Sequence, residues 1–134
     1  VEGGKLPRGQ GELIMVVDDE EAILEVTRRA LERFGYRVVT AADGASAVAL
    51  YAQRRDEIAV VLTDMMMPVM DGATAIFALQ RINPGVKVIA ASGLGSHDSL
   101  TRIGDSGVKH FLPKPYSAEA LLKALRELIA PGRE

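Results

Sequence analysis

The stretch ELIMVVDDEEAI, residues 12–23, joins an apolar run directly to a cluster of acids. Five apolar residues, Leu13 to Val17, are followed without a break by the four acids Asp18 to Glu21. A short run that is apolar on both faces is typical of a parallel strand covered by helices on two sides. Four carboxylates at the end of such a strand repel one another, so this stretch predicts both a buried strand and something cationic gathered at its end.

The same kind of apolar run returns four times along the chain, separated by helical patterns. The further predicted strands are Arg37–Ala41, Ile58–Thr63, Val86–Ala91 and Val108–Leu112. Apolar residues spaced three and four apart predict helices over 23–34, 45–52, 75–82 and 118–128, and a weaker fourth helix over 96–104. Gly35 is predicted to end the first helix, and Ser117 to cap the last one.

Strand and helix alternate five times in about 120 residues, which predicts an open parallel sheet with helices on both faces. Right-handed crossovers favour a flavodoxin-like, doubly wound (βα)5 three-layer sandwich with strand order 2-1-3-4-5. Residues 12–131 are predicted to form this single α/β domain. Residues 1–11, VEGGKLPRGQG, contain four glycines and one proline and are predicted to be a linker.

Composition excludes several classes of function. Of the 134 residues 48% are hydrophobic, and no apolar run approaches the roughly 20 residues of a membrane span. Cysteine is absent, which excludes a disulfide framework and thiolate chemistry. The formal net charge of −2 argues against nucleic-acid binding by this domain. The chain begins with Val rather than Met, so we expect a piece of a longer protein.

Ligands of such sheets bind beyond the carboxyl ends of the strands, and chemically active residues stand at four of those ends. They are Asp18 and Asp19, Asp64, Ser92, and Lys114. Three carboxylates against one ammonium leave an excess of about two negative charges, which a divalent cation would balance. Hard oxygen ligands suit Mg²⁺ or Mn²⁺, and Mg²⁺ commonly shares phosphate oxygens. Asp64 is the candidate nucleophile for an aspartyl phosphate.

Four motifs carry a resemblance to a known family: VVDDE, LTDMMMPVMDG, ASG and FLPKPY. In this order and spacing the chain, from Glu12 to Ile129, resembles the receiver domain of two-component response regulators. The resemblance implies a cytoplasmic, bacterial phosphorelay component whose partner is a histidine kinase or a phosphotransfer domain. Such a domain is not an independent enzyme, although it assists its own phosphorylation and dephosphorylation.

The resemblance also implies a role for each site residue. Asp64 would accept the phosphoryl group, and Lys114 would pair with Asp64 and then with that group. Asp19 and Asp64 would ligate Mg²⁺ directly, Asp18 through water, and Met66 through its backbone carbonyl. Ser92 and Phe111 would form the switch that changes the face of the fourth helix, fifth strand and fifth helix, through which receivers can also dimerise. The Lys114–Pro115 peptide is expected to be cis.

Three rival functions fit this sequence less well. An aspartyl-phosphate phosphatase would need a second acid/base carboxylate and a capping insertion, and a flavin carrier would need a glycine-rich phosphate loop after the first strand. A receiver-like docking module would not be phosphorylated at all. For the parent protein, the lead-in LPRGQGELIMVVDDE resembles the joint before the C-terminal receiver of hybrid sensor histidine kinases, which can be membrane-anchored. A stand-alone regulator, or the N-terminal part of a larger one, is the alternative.

Overall fold

The computed structural model describes residues 8–67, 70, 72–92, 108 and 110–129. Within them a five-stranded sheet has the order β2-β1-β3-β4-β5, and every neighbouring pair is parallel. The strands are β1 (Leu13–Val17), β2 (Arg37–Ala41), β3 (Ile58–Asp64), β4 (Val88–Ser92) and β5 (His110–Pro113). The predicted flavodoxin-like topology is therefore confirmed. The predicted fourth helix, 96–104, lies outside the described residues.

The helices are α1 (Glu21–Arg33), α2 (Gly44–Arg54), α3 (Gly72–Ile82) and a C-terminal helix, Ala118–Ile129. Gly35 follows α1 with φ of +96°, a left-handed conformation that glycine adopts at little cost, so it ends the helix as predicted. Asp43 caps α2 by accepting a hydrogen bond from the Ser46 N–H at 2.7 Å. Ser117 Oγ accepts the Ala120 N–H at 3.0 Å, which confirms the predicted cap of the C-terminal helix.

Two strand boundaries differ from the predicted ones for local reasons. β4 begins at Val88 rather than Val86, because the turn after α3 holds Val86 through its N–H bond to the Asn83 carbonyl. β5 covers His110–Pro113 rather than 108–112, and its last residue is paired with Ser92, so both strands reach further toward the carboxyl edge than predicted. This places Ser92 inside the sheet rather than beyond it.

The core has two layers, one on each face of the sheet. All five residues of β1 are buried, with Leu13, Met15 and Val17 in one layer and Ile14 and Val16 in the other. The first layer packs on α2 and α3, and the second packs on α1 and the C-terminal helix. Burial on both faces explains why this strand reads as a continuous apolar run.

Residues 8–11, part of the predicted linker, are hydrogen-bonded to the end of α1. The Gly9 N–H donates to the Phe34 carbonyl and the Gly11 N–H to the Gly35 carbonyl, both at 2.7 Å. A side chain at Gly9 would meet the Tyr36 ring within 2.6 Å, which explains a glycine at this close approach. The boundary between linker and domain at residue 12 stays a prediction, and residues 1–7 lie outside the described part. No described helix has the length and hydropathy that a membrane span requires.

Candidate functional site

The carboxyl edge of the sheet brings together the residues that the sequence placed at four strand ends. Asp18 directly follows β1, Asp64 ends β3, Ser92 ends β4, and Lys114 directly follows β5. Parallel pairing aligns these ends, since Val17 pairs with Thr63 and Asp64 with Ala91. Asp18, Asp64 and Ser92 are all buried, at 3%, 4% and 8% exposure. The fold therefore concentrates polar side chains at one point of an otherwise apolar sheet.

Lys114 neutralises part of the charge in this cluster. Its ammonium lies 3.1 Å from Asp18 Oδ2 and 3.5 Å from Asp64 Oδ2. The lysine side chain is 18% exposed, so these pairs are only partly screened by water. The ammonium is closer to Asp18 than to Asp64, whereas the resemblance implied a pairing with Asp64. One cation thus bridges the two buried acids.

Backbone N–H groups hold the remaining oxygen of each buried acid. The Glu20 N–H donates to Asp18 Oδ1 at 2.9 Å, and the Met66 N–H donates to Asp64 Oδ1 at 3.2 Å. Each carboxylate is therefore fixed by the chain that immediately follows it. This arrangement orients one oxygen of each acid toward the other acid and toward Lys114.

The acids also meet the geometric requirement for a divalent cation. Carboxylate oxygens of Asp18, Asp19 and Asp64 all lie within 4.8 Å of one another, and Asp19 is exposed to solvent. Three hard oxygen donors beside an open side suit an ion such as Mg²⁺ that retains part of its water shell. Lys114 supplies one positive charge against these three negative ones, so the donor set fits a dication.

The pKa of Asp64 reflects the crowding of the site. Burial raises the pKa of this carboxyl, and the Met66 N–H and Lys114 lower it by less, while the negative charge of Asp18 raises it further. For Lys114, burial lowers the pKa of the ammonium, but the hydrogen bond to Asp18 and the charge of Asp64 leave that pKa raised overall. Both shifts favour the protonated form of the group, which is the more positive one. Additional positive charge at this site would therefore be favourable.

The other predicted residues lie on β4 and β5 or directly after β3. The Ser92 carbonyl accepts the Lys114 N–H at 2.8 Å, which fixes the start of the segment carrying the lysine. Phe111 lies on β5 with 39% of its surface exposed, and Met66 is 52% exposed beside the site. The Lys114–Pro115 peptide is cis, as the resemblance implied. The movements implied for Ser92 and Phe111 stay predictions.

A groove beside the site had no counterpart in the sequence analysis. It has a volume of about 510 Å³ and runs between α1 and the segment after β5. Its lining consists of Ala22, Ile23, Val26, Thr27, Lys114, Pro115 and Tyr116. Val26 is 68% exposed in the middle of an apolar helical pattern. That exposure could not be read from the sequence, because periodicity does not say which apolar residue is left uncovered.

Comparison with known proteins agrees with this geometry. The model of the response regulator receiver domain family matches residues 14–126. The chain is 34% identical over 117 residues to the sensor kinase CckA of Brucella abortus, an alignment that covers 87% of the chain and 12% of that kinase. It spans about half the length of the mycobacterial regulators that it also matches.

Solved structures show the same fold. A response regulator receiver domain protein from Clostridium thermocellum superposes with a TM-score of 0.84 at 32% identity, covering 87% of this chain and 93% of that one. CheY in the CheX–CheY–BeF3–Mg²⁺ complex from Borrelia burgdorferi superposes with a TM-score of 0.81 at 28% identity, covering 89% and 90%. With the family model spanning most of its length, this chain belongs to the receiver domains of two-component response regulators.

Proposed function

We propose that Asp64 is the phosphoacceptor of this receiver domain, served by Lys114, Ser92 and a metal held by Asp18, Asp19 and Asp64. As a receiver, the chain is a phosphoacceptor module of two-component signalling. The observation that supports Asp64 is its place in the acid cluster found among the described residues: it is buried at the end of β3, its Oδ1 accepts the Met66 N–H, and its Oδ2 lies 3.5 Å from Lys114.

In the proposed reaction an Asp64 oxygen forms a bond to the phosphorus of a phosphohistidine on a kinase or phosphotransfer partner. The bond from phosphorus to the imidazole nitrogen breaks, and that nitrogen keeps the electron pair and takes a proton from solvent. Lys114 moves its charge toward the phosphoryl oxygens, and the Ser92 hydroxyl donates a hydrogen bond to another of them. The protein acts mainly by positioning and charge neutralisation.

We infer that the resident ion is Mg²⁺, or Mn²⁺ in its place. When bound, the ion neutralises charge on the transferred group and on the acids. Asp19 and Asp64 would hold it directly, Asp18 through water, and the Met66 carbonyl would add a fourth oxygen. The acid cluster supports this inference, as does the Mg²⁺ of the CheX–CheY–BeF3–Mg²⁺ complex from Borrelia burgdorferi.

Acetyl phosphate with Mg²⁺ tests the proposal directly. We expect a mass increase of one phosphoryl group, mapped to Asp64 and absent when a chelator is present before the donor is added. Steady turnover of the donor without a labelled protein would instead indicate a phosphatase-type enzyme. Complete inertness, while the fold is intact by circular dichroism, would indicate a docking module.

Replacing Met66 with asparagine is expected to shorten the lifetime of the phosphoryl group several-fold. Met66 follows Asp64 by two residues and carries a long, 52% exposed apolar side chain, which we expect to limit the approach of water, whereas an amide can orient a water molecule for attack. The measurement is the loss of label after the donor is removed. A Met66→Leu variant, which keeps the apolar cover, should retain the original lifetime. An equal lifetime in the Met66→Asn variant would contradict this role.

We further propose that the groove between α1 and the segment after β5 receives a helix of the phosphohistidine-bearing partner. Lys114 belongs both to the groove and to the acid cluster, so a helix lying there is next to Asp64. The lining is largely apolar and includes the exposed Val26. An amphipathic helix fits such a groove by burying its apolar face.

A Val26→Asp substitution should therefore slow phosphoryl transfer from a cognate partner by about tenfold or more, since it buries an unpaired charge at the contact. Labelling by acetyl phosphate, which needs no docking, should keep its original rate. The matched control is Ala52→Asp, which adds the same charge at an exposed position of α2 on the other face of the sheet. Equal loss with both donors, or equal loss in the control, would contradict the docking surface.

We propose that phosphorylation changes the face that contains β5 and the C-terminal helix, and that this face can support a receiver–receiver dimer. The sensor kinase among the relatives is consistent with a hybrid kinase as parent, whereas the mycobacterial relatives are regulators. A cytoplasmic location for the domain follows from the proposed partner, and the hybrid kinase stays a prediction.

A further inference from the structure

A partly buried hydroxyl pair joins the segment that carries Lys114 to the first helix. Tyr116 Oη lies 3.3 Å from Thr27 Oγ1, within hydrogen-bond distance. Thr27 is 4% exposed on the inner face of α1, and the Tyr116 ring packs against the core layer under the same helix. Burial raises the pKa of Tyr116, so the phenol is protonated at neutral pH and has a hydrogen to donate. The pair connects residues 89 positions apart.

The two segments joined by this contact both start close in sequence to charged residues of the site. α1 begins three residues after Asp18, and Tyr116 stands two residues after Lys114. On the other side of the lysine, its own N–H is held by the Ser92 carbonyl. The segment that carries the ammonium is thus tied to β4 before Lys114 and to α1 after it.

We infer that Tyr116 and Thr27 form a positioning pair that holds Lys114 in place for phosphoryl transfer to Asp64. A phenyl ring alone would supply the packing against the core, but only the hydroxyl fixes the segment relative to α1. Without it, Lys114 has more freedom and meets the transferred group less often in the productive geometry. The inference rests on the proposed function, since it concerns the rate at which Asp64 is labelled.

The test compares labelling rates with acetyl phosphate and saturating Mg²⁺. Tyr116→Phe and Thr27→Val should each lower the rate constant by about 2- to 10-fold, the range of one net hydrogen bond. The final amount of labelled protein should be unchanged, because the variants remain folded. The double variant should be no slower than either single variant, since both remove the same contact. Thr27→Ser keeps a hydroxyl and should retain most of the rate.

Tyr51→Phe provides a matched control within this chain. It removes the hydroxyl of a second tyrosine, which accepts a hydrogen bond from Asn83 Nδ2 at 2.9 Å in the opposite core layer. We expect it to cost stability but leave the labelling rate unchanged. An unchanged rate in Tyr116→Phe, or equal slowing in Tyr51→Phe, would overturn the inference. Failure of the unaltered chain to be labelled would instead overturn the proposed function, so the two results are distinguishable.

Discussion

An Asp64→Asn variant is expected to lose phosphoryl labelling, with less than about 1% of the original rate remaining. An amide at this position cannot act as the nucleophile, and we expect neither of the other two acids of the cluster to replace it. Asp19 is exposed, and Asp18 Oδ2 is engaged by Lys114 at 3.1 Å. The measurement is intact mass after incubation with acetyl phosphate and Mg²⁺. Asp56→Asn, at a fully exposed aspartate, is the control and should be labelled normally.

The same substitution should stabilise the fold at neutral pH. The pKa of Asp64 is raised in the folded state, mainly by burial. The ionised carboxylate therefore destabilises the folded state at neutral pH. Between the ordinary carboxyl pKa of 3.8 and the higher pKa of the folded state, Asp64 is more often protonated in the folded protein than in the unfolded chain. The free energy of unfolding therefore falls as pH rises through this range. Asparagine removes the charge, and each kcal/mol gained corresponds to roughly 2–8 °C in Tm.

Thermal unfolding without added metal, at pH 4 and pH 7, checks this sign. The Asp64→Asn variant should exceed the unaltered chain in Tm by more at pH 7 than at pH 4. Addition of Mg²⁺ should narrow the difference at pH 7, because the ion supplies the missing positive charge to the unaltered site. A variant that is less stable than its parent at pH 7 would show that the ionised, buried Asp64 does not destabilise the fold.

The fold could be read from the sequence because its strands are unambiguous. A run such as Leu13–Val17, buried on both faces, has no helical periodicity, and the glycine and proline turns separate the elements. The carboxyl-edge rule then brought Asp18, Asp64 and Lys114 together without any knowledge of side-chain distances. The strand ends were less well predicted: Val86 is apolar enough for a strand but is held in a turn by Asn83.

The sequence did not predict contacts between side chains that lie far apart along the chain. Thr27 contacts Tyr116, which lies 89 positions further along the chain, and no sequence pattern relates the two residues. The nearer pairing of Lys114 with Asp18 depends on side-chain geometry that strand-end spacing does not contain. The groove beside Val26 likewise exists only because two distant segments leave a gap between them.

Replacing Lys114 with methionine is expected to lower the labelling rate by about 100-fold, the scale of losing one positioned charge at a site of developing negative charge. Methionine retains much of the side-chain volume and removes the ammonium that lies 3.1 Å and 3.5 Å from the two buried acids. Lys123→Met is the control, because that exposed lysine pairs with Glu119 on the C-terminal helix, away from the acids. It should be labelled at the original rate.

Measurements of Tm with and without Mg²⁺ distinguish the loss of the Lys114 charge from a general effect of the substitution on folding. Its raised pKa means that the ammonium stabilises the folded state fully below the unfolded value of 10.5 and loses this contribution only as pH rises through the folded value. At pH 7 the Lys114→Met variant should therefore be destabilised, by less than the ~3–5 kcal/mol of breaking a fully buried pair, since Lys114 keeps 18% exposure. Mg²⁺ should raise the Tm of this variant more than that of the parent. In the variant Asp18 and Asp64 have lost Lys114, the cation that pairs with both of them among the described residues. An equal Mg²⁺ effect in both proteins would contradict a shared charge balance between the lysine and the ion.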